Sequence, residues 1–291
     1  MSNKFKQITK VVALVLCIGA LPFVNCASAY ARDNGEWRIA NGEWLDDYSM
    51  PVGFTYGAKA NLNANYLWRG LNAGGMNLQA SANVGYGGLY ADVWFNIGAT
   101  DWAFSHFLPE VDITFGFARW GLNLGVVYIH TFNCGFFDFT NYPDKGNHLE
   151  VDGRFTISKK IPLSFLWATR VAAADGYLNE AGDTIRAWSS YAEISYTQAL
   201  PYGLSLYGAV GFTPWRSLYT GYQRNFAVHN VELRLRKDWE VTNRCGMMIQ
   251  GQLTINPSAL AADKSTAQWY ITEPWRQSIN ANVTFGVYLI R

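Results

Sequence analysis

Period-two alternation recurs along this chain from Phe54 to its end, and the polar positions carry charges as well as amides. Phe54, Tyr56, Ala58, Ala60 and Leu62 alternate with Lys59, Asn61 and Asn63, and the apolar set continues through Ala64 to Tyr66 and Trp68. Leu149, Val151 and Phe155 likewise alternate with Glu150, Asp152 and Arg154. A side chain on every second residue faces the same side of a strand, so each segment has one apolar and one polar face. Twelve segments read this way: 54–68, 78–86, 89–97, 111–117, 122–132, 147–157, 163–172, 186–197, 204–213, 226–236, 245–256 and 277–290. Short connections such as Gly87-Gly88 and Arg119–Gly121 alternate with long ones such as 133–146 and 257–276. An even strand count with short turns at one end and long loops at the other is the pattern of an outer-membrane barrel. The sequence therefore predicts an all-β fold, a twelve-stranded antiparallel up-and-down transmembrane β-barrel over 53–291. In hydrocarbon the strands must close, because open edges would leave backbone groups without partners.

Composition supports a lipid-facing exterior. Charged residues make up 15% of the chain and aromatics 16%, where about a quarter of a soluble domain is charged. A helical span needs about 20 apolar residues, and the one long apolar run is Val11 to Val24. It follows Lys4, Lys6 and Lys10 and precedes Ala27-Ser28-Ala29-Tyr30-Ala31, so residues 1–31 read as a secretory signal peptide cleaved after Ala29 or Ala31. Losing three lysines from 23 basic side chains leaves 20 against 22 acidic ones. No clustered basic face suggests nucleic acid. Residues 32–52, where "NGEW" occurs twice, read as a periplasmic extension.

The stretch from Tyr56 to Gly98 contains Tyr66, Arg69, Gly70 and Gln79, followed by Gly88, Leu89, Tyr90 and Trp94. In this it resembles the TorF-type porins, whose motif is Tyr-x-x-Arg-Gly, a following Gln, then Gly-Leu-Tyr-x-x-x-Trp. The resemblance covers the first three strands and implies an outer-membrane channel. The chain departs from the usual terminal aromatic of an assembly signal, ending in Arg291.

Polar-face parity nominates Lys59, Asp92, Asp112, Glu150, Asp152, Arg154, Arg170, Glu193, Glu232, Arg234 and Arg236 as lumen-lining. Of these Arg154, Arg170, Glu232 and Arg234 are the leading candidates for electrostatic selection. With both termini periplasmic, segment 54–68 would finish at the outer leaflet, placing Tyr66 and Trp68 in the interfacial aromatic belt and Arg69 as a snorkelling anchor. The expected partners are outer-membrane lipid, the barrel-insertion machinery and small polar solutes, with no cofactor and no metal. An eight-stranded lumen is filled and a sixteen-stranded one open. Passive permeation through a narrow charge-lined lumen is thus the expected function, with a closed structural or adhesive barrel the alternative.

An outer-membrane lipid hydrolase would need Ser, His and an orienting acid or amide together at the rim. Ser105-His106 are sequence neighbours that point apart in an extended chain, and His229-Asn230 has no serine at pattern spacing, although Ser189 and Ser190 fall in a neighbouring region. No catalytic set is assigned. His130, His148, Cys134, Asp138 and Asp144 gather around one long loop without metal-ligand spacing, and Phe132, Phe136, Phe137 and Phe139 are expected to pack that loop or fold it into the pore. Cys134 and Cys245 fall at opposite ends of the barrel, too far apart for a disulfide.

Overall fold

The structure, a computed structural model, describes residues 53–99, 107–132, 135–139, 147–158, 160–172, 175–179, 181–260 and 278–290. The signal segment 1–31, the 32–52 extension, Ser105-His106, Cys134, Asp144 and Arg291 lie outside the described residues. In chain order the strands are β1 (Phe54–Asn63), β2 (Tyr66–Trp68), β3 (Leu71–Gly74), β4 (Asn77–Tyr86), β5 (Leu89–Ala99), β6 (Phe107–Arg119), β7 (Leu122–His130) and β8 (His148–Thr156). They continue as β9 (Leu163–Ala172), β10 (Gly176–Leu178), β11 (Thr184–Arg186), β12 (Ser190–Leu200), β13 (Leu204–Thr213), β14 (Ala227–Glu240), β15 (Cys245–Ile255) and β16 (Ile279–Ile290).

Twelve of these form one closed antiparallel barrel, ordered β1-β16-β15-β14-β13-β12-β9-β8-β7-β6-β5-β4. Each wall strand pairs with the wall strands before and after it. β1 closes the ring, with Lys59 opposite both Ser81 and Tyr288. The other four strands make two small hairpins, β2 with β3 and β10 with β11, inside long connections. At the short-turn end Gly87 and Gly88, at φ +63° and +96°, make the two-residue turn between β4 and β5. Both central residues of such a turn need positive φ, a region glycine enters without a Cβ penalty.

Side-chain polarity is inverted relative to a soluble protein. Val84, Val93, Phe115, Leu233 and Phe285 are exposed, whereas Asn61, Gln250, Thr254 and Thr284 are among the most deeply buried side chains. Outward apolar and inward polar residues alternate along each wall strand, as a transmembrane barrel requires. Val93 sits midway along β5 on the outer face. Val93→Arg should therefore lower unfolding free energy in lipid vesicles by about 2–4 kcal/mol in a denaturant titration. A loss below about 0.5 kcal/mol would mean that this position does not face hydrocarbon.

Strand ends differ from the sequence reading where polarity masked the alternation. β6 begins at Phe107, so Glu110 lies inward two residues from Asp112, and β14 continues to Glu240, bringing Asp238 inward beside Arg236. β12 begins at Ser190 instead of 186, because Thr184–Arg186 pairs with Gly176–Leu178. β1 stops at Asn63, five residues before Trp68.

Candidate functional site

After Asn63 the chain leaves the wall. Ala64 still donates to Val283 O at 2.9 Å, Asn65 N donates to Asn282 Oδ1 at 2.9 Å, and Asn65 Nδ2 donates to Ala281 O at 2.7 Å. β2 then pairs with β3, Trp68 opposite Leu71, around Arg69 and Gly70 at φ +47° and +82°. Two consecutive positive φ values match the right-handed twist of the hairpin. Arginine in this region is uncommon and costs backbone energy, so its tip contacts must hold it there.

Those contacts lie across the lumen. The Arg69 guanidinium donates from both terminal nitrogens to Glu150 on β8, at 2.8 and 2.6 Å, and to the Tyr219 hydroxyl at 2.6 Å. It also lies 5.0 Å from the ring of Tyr191 on β12, a strand opposite β1 and β4 in the ring of twelve. The Arg69 carbonyl accepts from His229 Nδ1 at 3.0 Å, and Asn256 Nδ2 donates to the Gly70 carbonyl at 3.1 Å. A Cβ on Gly70 would overlap the His229 carbonyl. The hairpin tip is therefore held inside the barrel from two sides, its guanidinium on β8 and beside β12, its backbone on β14 and on Asn256 just past β15.

This corrects the expectation for Tyr66, Trp68 and Arg69. None of them lies in an outer aromatic belt. Tyr66 packs on the inward Trp94 at 5.7 Å between ring centroids, Trp68 packs on Tyr219 at 5.6 Å, and Arg69 pairs with a carboxylate that is only 3% exposed. The reason is energetic. A lone buried Glu150 would carry a heavy desolvation cost, and a bidentate guanidinium offsets it better than a lipid phosphate at the rim would stabilise the arginine. The signal was present in "WRGL", whose Arg-Gly pair occupies the two turn positions.

Between the hairpin and the short-turn end lies a cavity of about 280 Å³. It reaches down to Thr55, Ala118 and Asn123. One side, built from β15, β16, β1 and β4, is mostly neutral, with Gln252, Asn282, Asn63, Gln79, Ser81 and Asn83. The other side is charged. Of the polar-face residues, Asp92, Asp112, Glu150, Asp152, Arg154, Glu193, Glu232 and Arg234 line it, and Lys59 reaches the cavity from β1. Arg170 and Arg236 do not. Arg170 contacts His148 at 3.2 Å with Glu110 nearby, and Arg236 binds Asp238 at 2.6 Å. Arg154 stands 3.8 Å from Glu193, Arg234 pairs with Glu232, and Glu193 also accepts from Tyr191 and from Tyr207, the latter at 2.7 Å. Sequence reasoning missed Glu110, Asp238 and the inward aromatics Tyr90, Trp94, Tyr191 and Tyr207. All but Tyr207 lie two residues from a charge chosen as lumen-facing, so strand parity alone could have found most of them.

The histidines are separated by parity. His130 lies on the outer side, 4.0 Å from Phe136 in a stacked pair and 2.5 Å from Asn147 Oδ1, while His148 faces inward to Arg170. Phe136, Phe137 and Phe139 pack on outward-facing Tyr128, and Phe132 packs on His130, so these four rings cover the outer face of β7 and do not point into the lumen. No metal-holding group of His, Cys, Asp and Glu occurs among the described residues. Ser189 Oγ donates to Asp175 Oδ1 at 2.5 Å, and His229 is engaged by the Arg69 carbonyl and stacked on Tyr219 at 4.7 Å. Cys245, at the start of β15, is a free thiol.

No family model matches the chain, and no curated protein does. Among solved structures, an outer membrane channel from Pseudomonas putida F1 is similar, with TM-score 0.44 and 11% identity over 87% of this chain and 100% of that one. The NanC porin is similar at TM-score 0.42 and 10% identity, covering 80% of this chain and 98% of its own. A bacterial polysaccharide outer membrane secretin gives TM-score 0.35 and 9% identity over 82% and 98% of the two chains.

Proposed function

We propose that the chain is an outer-membrane channel of a Gram-negative bacterium, exported by residues 1–31, for passive permeation of small polar or charged solutes. The observation that carries this reading is the polar cavity inside a closed barrel with an apolar exterior. A water-lined path through an otherwise apolar slab is what such a solute needs. On this reading the β2–β3 hairpin forms the constriction, since its Arg69 tip lies inside the barrel, bonded to Glu150 and close to the Tyr191 ring. Lipid around the apolar exterior and the barrel-insertion machinery are the partners this reading implies.

Single-channel recording of the refolded protein in a planar bilayer tests it. Discrete conductance steps of narrow-pore size are the expected result. A folded barrel that passes no current would favour the second reading, a closed structural or adhesive barrel. That reading has its own support in the same docked hairpin.

A further inference from the structure

We propose that the cavity binds and passes uncharged polyhydroxylated solutes of monosaccharide size, and that their binding face is the column Gln79, Ser81 and Asn83 on β4 beside the Trp94 indole on β5. The binding face rests on the cavity alone, and passage rests on the channel reading.

The open polar groups point to the ligand. Gln79, Ser81 and Asn83 line the cavity, as does Thr114 on β6, and none of these four side chains hydrogen-bonds to the protein among the described residues. Their polar atoms are not sealed from the cavity either. Other side chains of the same neutral side are tied to one another. Asn63 donates to Asn77 Oδ1 at 3.0 Å and accepts from Thr284 Oγ1 at 2.6 Å, while Asn282 donates to Thr284 Oγ1 and Gln252 to Thr254 Oγ1, both at 3.2 Å. β4 therefore keeps a column of amide and hydroxyl groups with unused donors and acceptors. A polyol matches such a column, because each of its hydroxyls both donates and accepts. It leaves water at little net cost when the cavity returns the bonds it loses.

Position and charge narrow the class. Ser81 stands directly opposite Trp94 in the β4–β5 ladder, and Asn83 stands opposite Asp92, with Thr114 next across on β6. Neighbouring groups are thus about 7 Å apart along β4 and about 5 Å apart across the ladder. Hydroxyls are spread around a sugar ring on this scale, and the indole supplies carbon surface for the ring's C–H groups. The charged side offers an ion little. Arg69 is bonded to Glu150, Arg234 pairs with Glu232, Arg154 stands beside Glu193, Lys59 lies near Asp92, and Asp152 has Arg69 and Arg154 close by. An ion of either sign would meet charges that already have counter-charges, with no single-sign ring to select it. A hydroxyl can bond to the open groups with those pairs intact. The cavity of about 280 Å³ lies at the lower end for small-molecule sites, about 300–1,000 Å³, which suits one sugar ring and not a chain of them.

Two measurements on the full folded protein test this. Saturation-transfer NMR on the barrel in lauryldimethylamine oxide, a detergent without a sugar headgroup, should show saturable contact with glucose and weaker contact with the size-matched gluconate and glucosamine. Ser81→Ala with Asn83→Ala should weaken glucose binding about tenfold, as the loss of two hydrogen bonds requires. Heat-dependent gel mobility confirms that the variant is folded, and the comparison of the three solutes on the unaltered protein needs no variant. Swelling of proteoliposomes reads passage. Glucose should enter, the trisaccharide raffinose should not, and gluconate, given as its potassium salt with valinomycin, should enter about tenfold more slowly than glucose. Glucose contact on a barrel that supports no swelling upholds the binding face and removes passage, and the channel reading with it. Swelling without glucose contact, gluconate entry as fast as that of glucose, either charged solute bound as well as glucose, or glucose binding unchanged in the double variant overturns the proposal and leaves the channel reading standing.

Discussion

Gly70→Ala is expected to raise single-channel conductance severalfold while leaving the twelve-stranded wall intact. Gly70 sits at φ +82°, and a methyl group there would drive into the carbonyl of His229, a backbone atom that cannot swing aside. The strain of an L-residue in this region adds about 1 kcal/mol or more. The tip can then no longer keep its bonds to His229 and Asn256 while Arg69 holds Glu150. Because no wall strand passes through Gly70, the loss should fall on docking of the hairpin and not on barrel closure. Bilayer recording measures it, with heat-dependent gel mobility as the folding control. Unchanged conductance from a folded variant would show that the hairpin is not the constriction.

Arg69→Ala should cost stability. Glu150 is 3% exposed and would lose the guanidinium that grips both of its oxygens. Removing one partner of a buried pair typically costs about 3–5 kcal/mol, chiefly because the other charge stays buried. Urea titration in vesicles should show a loss of this order. In Arg69→Ala with Glu150→Ala, much of it should return, giving a coupling of about 1–3 kcal/mol. Arg69→Lys should recover little, since an ammonium cannot bond both carboxylate oxygens in the planar fork. Strictly additive losses would mean that the pair contributes nothing specific to the docked hairpin.

These two experiments address the part of the molecule that the sequence read least well. The twelve wall strands were recoverable because strand geometry is local: residue i and residue i+2 share a face whatever the rest of the chain does. The same rule gave the inward face of Asp92, Asp112, Asp152 and Glu232. It faltered at strand ends, where Glu110 and Asp238 interrupt an apolar run without breaking parity. It also gave no warning that β1 would stop at Asn63, since "ANYLW" continues the alternation beyond the strand. An aromatic belt and an aromatic hairpin use the same residue types.

Sequence by itself determined the inverted polarity, the strand count, the up-and-down order and the sides of the wall, because periodicity and turn chemistry act over a few residues. Tertiary structure alone decided which charges meet. Arg69 and Glu150 are 81 residues apart, Asn65 and Asn282 are 217 apart, and His229 and Arg69 are 160 apart. Such partners come together only when the ring closes and brings distant strands within one lumen's width. Burial then decides the outcome, because inside the barrel an unpaired charge costs more than bending a hairpin across the pore to pair it.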